Sequence, residues 1–109
     1  MRFAAVARRL SDAARGLGVE APGFRSPPRS PGIRRSIRRE PDGSATVSVA
    51  LRGRPGIAVV GDMIDGVVAA SQLSGVEAGA VRDGLWTAVA GLLDDEIEAR
   101  GSLPARMAA

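Results

Sequence analysis

The stretch IRRSIRREPDGSATVSVALR, residues 33–52, decides how the rest of the chain is read. In its second half Val47, Val49 and Leu51 alternate with Thr46, Ser48 and Ala50. That period of two places successive side chains on opposite faces of a half-buried strand. Its middle, Glu40-Pro41-Asp42-Gly43-Ser44, has proline and glycine where a hairpin loop wants them. The first half carries Arg34, Arg35, Arg38 and Arg39 around Ile33 and Ile37. Cations on both faces of a strand predict an exposed edge, where charge also blocks unwanted pairing. A β-hairpin over 33–52 follows.

Toward the C-terminus, Arg52-Gly53-Arg54-Pro55-Gly56 breaks the strand, and Pro55 stands where helix starts accept proline. From Ile57 to about Leu73 the residues Ile57, Val60, Met63, Ile64, Val67, Val68 and Ser71 share one broad face of a largely buried helix. Asp62, Asp65 and Gln72 fall on its narrow polar side. Gly61 and Gly66 each weaken such a helix by about 1 kcal/mol relative to Ala, which points to the close approach of another backbone. Ser74-Gly75-Val76-Glu77 has capping-box spacing and opens a last helix over 75–100, antiparallel to the one before it. Its stripe is Val81, Leu85, Ala88, Val89, Leu92 and Leu93, with Trp86 and Ile97 on the flank. It is expected to end near Gly101, leaving 102–109 as a frayed tail.

Toward the N-terminus, residues 21–32 hold four prolines and two glycines and read as an extended linker with no regular structure. Residues 1–20 form an amphipathic helix, with Phe3, Val6, Ala7, Leu10, Ala14 and Leu17 on one face and Gly16 and Gly18 ending it. Packing of that face on the domain is the expectation. The fold class is α+β: N-terminal helix, Pro-rich linker, hairpin and two C-terminal antiparallel helices, with residues 33–101 as the folded unit.

Composition narrows the function. The 109 residues fit one domain, with 45% hydrophobic and 25% charged residues at globular levels. Aromatics are only 3%, so the core is aliphatic and shallow, and sharing an apolar helix face with a second copy is the expected remedy. There is no Cys, His or Tyr, and every cation is Arg. Disulfides and thiolate metal sites are thereby excluded, and a reducing, cytoplasmic setting fits. Without His or Lys no serine has a base to activate it, so no enzymatic activity is expected. No cofactor is expected either: the glycine-rich stretches lack a phosphate-loop or dinucleotide pattern. Asp62 and Asp65 could in principle hold a divalent cation with a third carboxylate such as Asp94 or Asp95, but acidic residues on a helix's solvated side are ordinarily only that, and no metal is expected. No run reaches the roughly 18 apolar residues of a membrane span.

Charge divides by position. Residues 1–54 hold twelve Arg against four carboxylates, a net +8, while 55–109 hold three Arg against eight, a net −5. The densest basic region is Arg25, Arg29, Arg34, Arg35, Arg38, Arg39, Arg52 and Arg54, on the hairpin and its approach. Arg suits carboxylate and phosphate alike. The first reading is an interaction or regulatory module that offers these eight residues to an acidic protein partner and self-associates through its helices. The alternative is a DNA- or RNA-binding protein using the same hairpin, since two-stranded ribbons enter duplex grooves. Against it, aromatics that would stack bases are nearly missing.

The segments Gly-Phe-Arg-Ser-Pro-Pro-Arg at 23–29, Arg-Gly-Arg-Pro at 52–55 and Asp-Met-Ile-Asp-Gly-Val-Val at 62–68 resemble a group of short actinobacterial proteins of no established activity. The resemblance implies a source and a housekeeping or regulatory context, and carries over no site residue.

Overall fold

The computed structural model describes residues 3–26, 35–51 and 55–108. Three helices and a three-stranded mixed sheet make an α+β fold: α1 Phe3–Gly16, β1 Gly23–Arg25, β2 Arg35–Arg39, β3 Ala45–Val49, α2 Gly56–Ala70 and α3 Gly75–Ala108. The sheet order is β1-β3-β2, β2 running antiparallel to β3 and β1 parallel to it.

The hairpin forms where the turn chemistry puts it. Gly43 donates its N–H to the Glu40 carbonyl at 3.0 Å, and Glu40 donates to the Ser44 carbonyl at 2.9 Å. Gly43 sits at φ 90°, the left-handed region that glycine enters without penalty. Both strands are shorter than the alternation suggested, five residues each. β3 alternates buried and half-buried residues along its whole length, and all of β2 is exposed, as an edge strand should be.

The linker reading is corrected by β1. Gly23–Arg25 is a strand inside the proline-rich segment, and Phe24 beside Val47 packs against the core. Its physical cause is the second edge of β3, whose N–H and C=O groups need partners that a parallel strand supplies. Three residues are too few to show a period of two.

α2 is the central element. Val59, Val60, Met63, Ile64, Gly66, Val67, Val68 and Ala70 are buried on it, round most of its circumference. It packs on β2 and β3 and also on α1 and α3. The buried apolar side chains of α2 are therefore enclosed within one chain. Ile57, in the first turn, is the exception to the predicted buried face and stays 60% exposed. α2 also ends earlier than expected, at Ala70, because Gln72 turns to φ 61° and its N–H closes on the Ala69 carbonyl at 3.1 Å.

α1 docks on α3 and α2 through Val6, Leu10 and Ala14, at the four-residue spacing of one face. Val19 donates to the Ala14 carbonyl at 2.8 Å and Gly18 to the Arg15 carbonyl at 3.0 Å, with Gly18 at φ 78°. Those two bonds close the helix in a Schellman motif and send the chain toward β1. On α3 the buried residues Ala78, Val81, Leu85 and Val89 continue the same 3-and-4 spacing. Its helical backbone runs through Gly101 to Ala108 where a frayed tail was expected; a glycine lowers helix propensity but does not break the hydrogen-bond ladder. Among the described residues no helix is long and apolar enough to cross a membrane.

Candidate interaction face of the hairpin

Strand register sorts the hairpin arginines onto two faces. Arg35 lies across from Val49, Ile37 from Val47 and Arg39 from Ala45. Ala45, Val47 and Val49 are the buried residues of β3, so Arg35, Ile37 and Arg39 share the inner face, toward α2. Ser36 lies across from Ser48 and Arg38 from Thr46, on the outer face. Arg25 of β1 is the other neighbour of Ser48 and joins that outer face.

The inner arginines serve the fold. Arg35 Nη1 lies 3.6 Å from Asp65 Oδ2, and Arg82 Nε of α3 donates to Asp65 Oδ1 at 3.1 Å. One carboxylate thus ties β2, α2 and α3 together. Arg39 Nη2 donates to the Ala70 carbonyl, a cation on the carbonyl end of a helix. Asp65, expected on the solvated side of α2, has a guanidinium beside each of its oxygens. Among the described residues no three Asp, Glu, His or Cys cluster as metal ligands.

The outer arginines differ. Arg38 lies 3.8 Å from Glu40 Oε1, and the same oxygen accepts from the Thr46 hydroxyl at 3.2 Å. Arg38 remains the more exposed partner, its side chain 75% accessible. For an exposed pair this long, mutual attraction is worth no more than about 0–1 kcal/mol, so a better carboxylate can displace Glu40. Among the described residues no hydrogen bond or ion pair reaches the Arg25 side chain. The outer face is a shallow floor of Gly23, Ser36, Thr46 and Ser48 between these two guanidiniums. Arg29, Arg34, Arg52 and Arg54 lie outside the described residues.

At the turn, Asp42 Oδ1 accepts from the Ser44 hydroxyl at 2.6 Å and from the Ser44 N–H at 2.9 Å. The hydroxyl first and the amide second favour the charged carboxylate and hold the Asp42 pKa below its ordinary value. A cleft of about 280 Å³ opens near Arg39, between Gly18–Pro22, Ala45 and the turn Ala70–Leu73. Glu20 and Gln72 are among its polar walls.

Sequence reasoning treated the arginines as one patch and missed Glu40, Ser36, Thr46 and Ser48 as its setting. The signal was present: once Pro41-Asp42-Gly43 is fixed as the loop, the alternation of β3 dictates the parity of β2. Comparison of the chain with protein-family models, with curated proteins and with solved structures yields no match. Residue roles therefore rest on geometry alone.

Proposed function

We propose that the chain is a non-enzymatic interaction module that binds an acidic protein partner at the outer side of its hairpin. The observation that carries this reading is the segregation of the arginines. Arg35 and Arg39 are engaged with α2, while Arg25 and Arg38 stand exposed on a sheet face otherwise made of small hydroxyl residues and glycine. Nothing in the packing of α2 requires Arg25 or Arg38. An Arg pair of this kind suits carboxylates, which it can grip through two parallel N–H donors. An external partner is favoured over a second copy joined through α2, whose apolar side chains apart from Ile57 are enclosed within the chain.

The test is titration of the protein with polyglutamate and, separately, with mixed-sequence duplex DNA, at about 50 and 200 mM salt, where phosphate contacts lose affinity most visibly. The expected result is polyglutamate binding that is lost in the double variant Arg25→Ala, Arg38→Ala. Binding of DNA alone, with a steep salt dependence and the same sensitivity to the variant, would transfer the site to nucleic acid. Binding of both ligands unaffected by the variant would remove this face from consideration.

A further inference from the structure

We infer that the acidic partner binds as an added β-strand along the outer edge of β2, which no strand among the described residues covers, with carboxylates beside Arg38 and an apolar side chain beside Ile37. This inference rests on the proposed acidic partner and adds how it is held.

The hydrogen bonding of the turn fixes which backbone groups of β2 point away from β3. Glu40 donates to Ser44, so Glu40 and Ser44 form a hydrogen-bonded pair of the antiparallel ladder. In such a ladder bonded and non-bonded pairs alternate. Arg38 with Thr46 and Ser36 with Ser48 are therefore bonded pairs, and Arg39 with Ala45, Ile37 with Val47 and Arg35 with Val49 are not. Residues of the non-bonded pairs aim their N–H and C=O away from the partner strand. Arg35, Ile37 and Arg39 thus present three donors and three acceptors along the outer edge. β3 shows the same logic on its other side, where Val47 is left free to serve β1.

The sheet's other edge does not offer this. β1 has three residues, and Pro22, immediately before it, has no N–H to give. On β2 all five residues are exposed, and a strand of that length is enough for edge recognition.

Side-chain parity then selects the occupant. A residue added opposite Ile37 faces inward, where Ile37 itself is 37% exposed and accepts an apolar neighbour. Its two neighbours face outward, beside Ser36 and Arg38, where carboxylates gain the guanidinium. A second copy of β2 would set arginines against arginines, and like charges across a strand pair are destabilising. The arginines accordingly do two things: they reject apolar and cationic strands, and they admit acidic ones.

The experiment uses the full chain and a short synthetic peptide alternating Glu and Val, plus two derivatives N-methylated at every Val or at every Glu. In an added strand only one alternate set of amides faces β2, the Val set if the peptide runs antiparallel and the Glu set if parallel. One derivative is therefore expected to lose affinity by on the order of tenfold or more, and the other to bind like the parent. On binding the parent, the amides of Arg35, Ile37 and Arg39 should become protected from hydrogen exchange, while those of Ser36 and Arg38 are protected already. Equal effects of the two methylations, both tolerated or both abolishing, overturn strand addition while leaving the acidic-partner reading intact, provided Arg25→Ala, Arg38→Ala still weakens the parent peptide. Failure of the parent peptide and of polyglutamate alike to bind overturns both.

Discussion

Gly66 of α2 lies directly beneath Val47 of β3: a Cβ on Gly66 would stand 2.5 Å from Val47 Cγ1 and 3.1 Å from Cγ2. Val47 is fully buried at the centre of the sheet, paired on both sides, and cannot move without taking β1 and β2 with it. Gly66→Ala should therefore destabilise the protein by about 1–3 kcal/mol, the usual cost of overpacking, even though Ala gains about 1 kcal/mol of helix propensity. Urea unfolding of Gly66→Ala, Val47→Ala and the double variant checks it. The double variant should be more stable than the sum of the single losses predicts, because each change makes room for the other. Strict additivity would mean that the two residues do not compete for the same space.

The two-faced hairpin predicts a separation of stability from binding. Arg35→Ala leaves Asp65 with one guanidinium, and Arg39→Ala removes a donor from the end of α2. Each should lower stability by roughly 0.3–1 kcal/mol, the range for half-exposed ion pairs and helix-end cations. Arg25→Ala and Arg38→Ala should leave the unfolding midpoint within about 0.5 kcal/mol of the parent, as surface changes without packing do. Chemical denaturation of the four single variants decides it, and equal losses in all four would contradict the assignment of faces.

The hairpin, the central helix and the docking face of α1 were legible in the chain because each buries at least five residues' worth of pattern or a strict four-residue spacing. Val47 and Val49 alternate, Val6, Leu10 and Ala14 align, and Pro41 with Gly43 mark the turn. β1 was not legible, since Gly23–Arg25 is too short to show a period and its cause is the vacant edge of β3, a tertiary demand. The early end of α2 was hidden for another reason: Gln72 does the turning that sequence reading assigns to glycine. The division of the arginines was implicit in the loop length but was read as composition, so charges that hold α2 in place were counted with those that face outward.

The turn carries a pH dependence of definite sign. Asp42 has a folded pKa below its ordinary value of 3.8, because Ser44 donates twice to its charged form. A depressed carboxylate pKa contributes stability that is present above the unfolded value and is lost as pH falls through the folded one. The stability difference between the parent and Asp42→Ala should accordingly be constant above about pH 5 and shrink below the unfolded pKa of about 4. Thermal unfolding of both proteins across that range is the measurement. A difference that persists to pH 2 would show that the side chain stabilises the turn in its neutral form.

Gln72 sets the last expectation. It ends α2 at φ 61°, the conformation that glycine takes at Gly18 after α1, but it bears a side chain there. The left-handed region costs a residue with a Cβ roughly 1–2 kcal/mol, so Gln72→Gly should stabilise the fold by on the order of 1 kcal/mol. The reverse change at the equivalent position, Gly18→Gln, should cost about as much, since nothing lies within 4 Å of a Cβ placed there and conformation alone decides the outcome. Paired denaturation curves of these two variants isolate the backbone contribution. A loss of stability in Gln72→Gly would mean that the Gln72 side chain, which lines the cleft beside Arg39, contributes more than the strain removes, and would turn attention to that cleft as a place where its amide is held.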